Sequence, residues 1–574
     1  GLVTIGSSGT FEYAATTGSQ TLTGKISGTG AVTKSGASTL TLSPATASDY
    51  TGATNVSAGT LKVTTADALG GTGTGTTVTS GATLEIGAVV IVDEPMTLNG
   101  TGSTNGALYY SDSGNVSGAI TLASTSSIGV ASGKTATLSG AASGTSLGIT
   151  KVGAGQLTLS GSNTYTGTTT VSVGTLALGA ADRISNSSAV AVADSATFDL
   201  AGYDETVASV ATSTTSDSAA SISLSSTSAT NTLTTSADTS TTFAGVISGT
   251  NGKLTKQGTG TLTLSGGNTF TGALTISAGT VSVGAGSTVG TIATASVVNS
   301  GTLLFNRSDD LTYSGVVSGS GVLQKSGAGT LTLSGANTYG GKTTVNTSGG
   351  NITISGTGSL GSVTGGVATY AGAIELTSST STFTFASSTT QEFSGVISLA
   401  GALTKSTGTG TLTLSGNNTY TGLTNVTTGT IKITHANALG GSTGDSQRTV
   451  VSSGATLEIG AVTSAEPLSV AGAGVSSAGA VNFSAAGTLS GTVTMTANST
   501  VQVANSTTAR ISGVIAGTSN LLTKTGDGTL ELTNTNTYSG GTTISAGTLS
   551  VGAGSTSGVI TGDVTNNATI TFNR

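Results

Sequence analysis

The chain has no cysteine, so no disulfide holds its 574 residues together, as expected of a polypeptide that stays unlocked during export. Charged residues make up only 7%, with a net charge of −7. No basic stripe exists, which argues against nucleic acid as a partner. There is a single histidine, His435, which leaves little material for acid–base catalysis. Three prolines and the lack of a Gly-X-Y period exclude collagen, although glycine, 90 of 574, is about twice its usual share. No run of 18 apolar residues occurs, so no membrane-spanning helix is predicted. The start, Gly1-Leu2-Val3, has no initiator methionine, charged leader or apolar leader. The expectation is a processed chain or a segment of a longer one.

What is present is repetition. A string of lysine, a glycine-rich turn, Thr-Leu-Thr-Leu-Ser-Gly, Asn-Thr-Tyr-Thr-Gly and a Thr/Val stretch ending in Gly-Thr-Leu occurs six times. It is clearest from Lys405 to Ile433 and is anchored elsewhere at Lys34, Lys151, Lys256, Lys325 and Lys524. Such repetition predicts a quasi-one-dimensional array in which each unit packs on its neighbours. Thr261–Leu264, Leu274–Ile276 and Thr280–Val283 are short alternating segments separated by Gly- and Asn-rich turns, the pattern of strands. Leu262 and Leu264 then share one face, and Thr261 and Thr263 the other. Only Ala66–Leu69 and His435–Leu439 are mildly helix-like, and each stops at a Gly-Gly pair.

Three strands in little more than twenty residues predict one coil of a right-handed parallel β-helix, an all-β elongated rod. Leu, Val and Ile stack inward, Thr and Ser form outward hydroxyl ladders, and Gly and Asn supply positive-φ corners. At roughly 20–25 residues per coil and about 4.8 Å per layer the rod is on the order of 120 Å long. An antiparallel sandwich competes, but it prefers Asn-Gly or Asp-Gly hairpin turns. Only Asp527-Gly528, Asn99-Gly100, Asn105-Gly106 and Asn251-Gly252 are present.

A longer period overlies the short one. Residues 79–100 recur at 452–472, and 371 residues separate Lys34 from Lys405. The expected organisation is a continuous solenoid over 1–574, with a first super-repeat at 1–372 and a partial second at 373–574. The last residues, Asn566–Arg574, match Asn299–Arg307, after which the chain continues. Both ends are therefore expected to be cut through a repeat and uncapped. Head-to-tail or lateral self-association is one way of covering such an end.

The string GTLTLSGxNTYTGxTTVxxGTL, closest in Leu157–Leu178, resembles the passenger-associated (autotransporter-associated) β-strand repeat of bacterial type V secretion passengers. Ala180–Val210 resembles the segment that often follows it. Copy one departs from the pattern: Ser38 and Pro44 replace glycines, Asp49 replaces Thr, and the turn before Tyr50 is longer. The resemblance implies a β-helical passenger displayed on the bacterial outer surface or secreted. Its translocator barrel is not among these residues.

Candidate chemistry is sparse. A Ser-His-Asp arrangement needs a carboxylate behind His435, and the nearest downstream acids are Asp445 and Glu458. Paired acids of the kind that cleave glycosides occur as Asp93-Glu94 (counterpart Ala465-Glu466), Asp204-Glu205 and Asp309-Asp310. All are read as solubilising turn charges, and no calcium-binding string accompanies Asp309-Asp310. The motif lysines are too widely spaced for a cationic patch and are expected along the sheet or at a corner, with packed stems. The ring series Tyr50, Tyr165, Phe270, Tyr339, Tyr420 and Tyr538 is expected to pack at a corner. Because Phe270 substitutes for Tyr, the ring is read as mattering more than the hydroxyl. No catalytic, cofactor or metal residue is assigned. The reading is a non-catalytic extracellular stalk or adhesin, with host or cell-surface glycans or other bacterial cells as partners. A self-polymerising surface or matrix filament is the alternative, and a glycan-active enzyme the third class.

Overall fold

The computed structural model describes residues 1–87, 90–91, 94–225, 231–346, 350–441, 448–554 and 556–574. It divides into two compact units, one of Gly1–Ala285 with Val289–Ala295, the other of Gly286–Thr288 with Ser296–Arg574. Each is a parallel β-solenoid.

In the first unit, strands from successive coils line up in columns. A ten-stranded column runs from Gln20–Leu22 to Ser209–Thr212, an eight-stranded one from Val90–Ile91 to Val246–Ser248, and a seven-stranded one from Thr10–Tyr13 to Ala142–Ser143. Leu40 pairs with Leu61, Leu61 with Leu84, Leu84 with Leu108, and Leu108 with Ile128. All five are buried. The outward neighbours Thr41, Lys62, Glu85 and Tyr109 stack in the same register, and Lys62 and Glu85 close an ion pair at 2.6 Å. Alternation thus becomes an apolar column inside and a polar ladder outside because strand side chains have period two. Each buried Leu contributes roughly 1.5–3 kcal/mol.

The second unit is built the same way. Leu331, Ile352, Phe383 and Leu403 stack in register, and Lys432 pairs with Glu458 at 2.8 Å across neighbouring strands. One coil is enlarged. It carries a small hairpin, Ser362–Thr364 against Val367–Tyr370, the single antiparallel pairing among the described strands. Beneath it Tyr339, Tyr370, Phe383, Phe385 and Phe393 form a chain of edge-on rings with centroids 5.5–6.3 Å apart. A chain with few aromatics thus concentrates them where the coil is widest.

The parallel ladders exclude the sandwich. The two helix-like pieces are single turns, closed by Gly70 N–H donating to the Asp67 carbonyl and Ala438 N–H to the His435 carbonyl. Asn is not the corner residue expected from composition: Asn251 is the one asparagine with positive φ among the described residues. Glycine takes that role. The corner that opens each lysine strand has positive-φ glycine at Gly28, Gly144, Gly249, Gly319 and Gly517. The fifth copy places Leu399 there at φ 76, with 47% of the residue exposed. A Cβ at Gly319 would lie 2.2 Å from the Asn299 carbonyl oxygen. Gly319→Leu is therefore expected to cost roughly 1–3 kcal/mol in strain alone, whereas Leu399→Gly leaves the urea midpoint unchanged or raises it. Denaturation of the two variants checks this.

Candidate functional site

The residues that define the repeat meet at its corners, and they face inward. Each motif lysine is the last residue of a strand, as in Ala31–Lys34 and Ala402–Lys405, or the last but one, as in Ile149–Val152, and all six are at most 3% exposed. The aliphatic stem packs in the core and the ammonium caps turn carbonyls that no strand can pair. Lys151 Nζ donates to the carbonyls of Val152 (3.0 Å), Gly153 (2.7 Å) and, one coil on, Val173 (3.0 Å). Lys524 Nζ likewise reaches Thr525 (2.7 Å), Gly526 (2.7 Å) and Ala546 (3.2 Å). Lys34 and Lys256 cap the carbonyls of Gly36 and Gly258. Glycine at the facing turn makes room: a Cβ at Gly350 or Gly429 would lie 2.9 Å from the ammonium of Lys325 or Lys405. Burial pushes these amines down, Lys151, Lys325, Lys405 and Lys524 to about 8. The stems pack as expected, and the heads are as buried as the stems.

The motif asparagine is the residue that sequence reasoning missed. Asn163, Asn268, Asn337, Asn418 and Asn536 are at most 6% exposed. In each, Oδ1 accepts a backbone N–H of the preceding coil, from Ala142, Ile247, Val317, Ile397 and Ile515, at 2.8–2.9 Å. Nδ2 donates to a carbonyl of the following coil, at Arg183, Thr291, Ser359, Ala438 and Val559. One amide therefore ties three successive layers. In copy one Ser48 stands at this place. Its hydroxyl accepts the Ile26 N–H at 3.2 Å, and its own backbone N–H, not its side chain, reaches the following coil at Asp67.

The ring series is buried, each ring 0% exposed. The hydroxyl, read from sequence as secondary, always has a partner four residues on. The pairs are Tyr50 with Thr54, Tyr165 with Thr169, Tyr339 with Thr343, Tyr420 with Thr424 and Tyr538 with Thr542. Where the ring is Phe270, the fourth residue on is the buried Leu274. Loss of the hydroxyl and loss of its partner go together, and that covariation was visible in the sequence.

The acids divide. Glu94, Glu205 and Glu466, expected as turn charges on the surface, are buried. Each was misplaced because it follows a turn but points into the corner beneath a motif tyrosine. Glu94 Oε1 accepts from the Thr76 hydroxyl at 2.7 Å, and Glu466 Oε1 from the Thr449 hydroxyl at 3.0 Å. Glu205 accepts the backbone N–H groups of Arg183 (2.8 Å) and Ile184 (3.1 Å). Burial pushes Glu94 and Glu205 up to about 7 and Glu466 up to about 8. Asp309 is held by Arg307 through two bonds of 2.9 and 2.7 Å, which lowers its pKa. Asp310 accepts the Thr330 N–H and Asp204 the Thr232 N–H, both at 2.7 Å. Asp93 and Asp445 lie outside the described residues. His435 Nδ1 accepts the Asn437 N–H at 3.1 Å, and Glu458 pairs with Lys432. Among the described residues, no acid is assembled with His435 into a catalytic set. The arrangement is one of cohesion between coils.

Residues 32–63, 149–178, 254–283, 323–354, 403–433 and 522–551 match the passenger-associated-transport-repeat family. The adhesin BmaC autotransporter of Brucella suis biovar 1 (strain 1330) is 43% identical over 68 residues, 12% of this chain and 2% of that protein. The chain thus spans a small fraction of that relative's length. No solved structure matches the chain significantly.

Asn418→Ala is expected to cost roughly 2–4 kcal/mol, because it strands the buried Ile397 N–H and Ala438 carbonyl; native-state hydrogen exchange at the adjoining strands measures it. Tyr165→Phe alone is expected to cost roughly 1 kcal/mol, and the double change Tyr165→Phe/Thr169→Leu to recover most of that loss, as a double-mutant cycle in urea would show. Glu94, Glu205 and Glu466 have folded pKa values above their unfolded ones. Their contribution is complete below about pH 4.5 and is lost as pH rises through 7–8. Lys151, Lys325, Lys405 and Lys524, pushed down to about 8, stay largely charged until the upper end of that range. The thermal midpoint is therefore expected to fall between pH 5 and 8, as calorimetry across that range would reveal.

Proposed function

We propose that this chain, which carries six passenger-associated transport repeats, is a passenger segment of a secreted or surface-exposed bacterial protein, structural and adhesive rather than catalytic. The observation that carries the reading is where the repeat spends its distinctive side chains. The lysine of each copy, and the asparagine and tyrosine of all but one copy each, are consumed in holding coils together, and the outward positions of the same strands, such as Thr41, Thr158, Thr263 and Thr413, alternate with the core. A surface so poor in titratable groups suits extension and contact better than bond cleavage. The local likeness to a protein described as an autotransporter adhesin supports the same reading.

Two measurements on the producing cells test it. Antibody labelling of intact cells is expected to find the chain outside the cell or in the medium, and retention in the cytosol contradicts display. Deletion of the chain is expected to reduce attachment to host or sister cells several-fold with growth unchanged. Unaltered attachment contradicts adhesion and leaves display standing.

A further inference from the structure

Two corners differ from the rest in having a buried acid with one oxygen left over. In the first unit, Tyr50 shares a hydrogen bond of 2.6 Å with Thr54. Thr54 sits beside Thr76 in the parallel register, and the Thr76 hydroxyl donates to Glu94 Oε1. In the second unit Tyr420, Thr424, Thr449 and Glu466 repeat the arrangement residue for residue. Both acids are 3% exposed, and in both Oε2 is buried without a hydrogen-bond partner among the described residues. A proline follows each. The Pro95 carbonyl accepts the Thr76 N–H at 2.9 Å and the Pro467 carbonyl the Thr449 N–H at 3.0 Å, so the acid and the first ladder bond of its strand share one hinge point.

We propose that Glu94 and Glu466 are proton-operated latches, each holding its corner closed as a neutral acid and loosening it as a carboxylate. A neutral carboxyl tolerates one unpaired oxygen at a cost of roughly 1–3 kcal/mol. A buried carboxylate needs donors on both oxygens, and its penalty without them is several kcal/mol. Thr76 and Thr449 supply one donor each. The described residues around the two acids offer no cation. The strands packed around Glu94, Thr54–Val56, Thr76–Val78, Met96–Leu98 and Ile120–Leu122, contain no acid or base, and Tyr50 is the titratable group facing it. Glu466 faces Tyr420 among Thr424–Val426, Thr449–Val451, Leu468–Gly472 and the start of Val493–Val503, which are equally uncharged there. Arg448, next to Thr449, is exposed. The upward shift that burial produces in both acids places the transition near neutrality. Glu205 is the internal contrast. Both its oxygens already accept backbone N–H groups, so its ionised form keeps hydrogen bonds that Glu94 and Glu466 lack, and its corner loosens less.

Hydrogen exchange of the whole chain, followed by mass spectrometry from about pH 6 to 9 and corrected for the intrinsic rate, tests this. Protection at residues 74–79 and 94–99, and at 448–452 and 466–470, is expected to fall about tenfold or more over that range, the equivalent of one pKa unit. Protection around Glu205 is expected to fall less. Glu94→Gln is expected to abolish the fall in the first unit only, and Glu466→Gln in the second only. Constant protection in the wild type, or a fall that survives these substitutions, overturns the proposal. If either variant fails to fold, the infrared carbonyl band of a neutral carboxylic acid in the Glu205→Gln chain, where Glu205 no longer contributes, decides. It is expected to persist at about pH 6, where exposed carboxyls are ionised, and to vanish by about pH 9. Its absence at pH 6 overturns the proposal equally.

Discussion

Every coil of a parallel solenoid has to turn, and each turn leaves carbonyls and N–H groups inside the corner where no strand can pair them. Unpaired, each costs roughly 1–3 kcal/mol, and a chain with so many coils cannot leave them so. The structure depends on meeting this constraint with side chains. Lysine caps carbonyls, asparagine accepts one coil's N–H while donating to another coil's carbonyl, and tyrosine fills the corner while its hydroxyl satisfies a threonine. Leucine and valine columns make the core cohesive, but they do not distinguish one register from the next as strictly. The asparagine does, because its acceptor and donor must find the layers before and after it.

Variation between copies follows the same physics. Ser48, in copy one, keeps the acceptor half of the asparagine's work with its hydroxyl and hands the link to the following coil to its backbone N–H. Phe270 needs no acceptor, and its partner position is Leu274. Leu399 keeps a left-handed corner without glycine and bears the strain. What is held constant is the satisfaction of buried polar groups, whichever residues supply it.

This explains how much was legible in the sequence. The parallel coil could be read because alternation with period two translates directly into a buried and an exposed face, and Leu262 and Leu264 lie where that rule puts them. The depth of a polar residue cannot be read that way. Glu94 and Glu205 sit beside turn residues, and composition places acids of that kind on the surface; only the neighbouring coils, absent from a linear reading, enclose them. The asparagines were assigned to positive-φ corners on average preference, when their amides were needed to bridge layers. The tyrosine hydroxyl was discounted because of Phe270, although the matching change at Leu274 pointed the other way.

The recurring lysine charges of the repeat are interior. Lysine acylation of the native chain, read residue by residue by mass spectrometry, tests this most directly. Lys34, Lys151, Lys256, Lys325, Lys405 and Lys524 are buried, whereas Lys25, Lys134 and Lys342 are 32–41% exposed at the side chain. The account predicts that the second group is labelled while the first stays unmodified until the chain is denatured. Equal labelling of both groups in the native chain would contradict it.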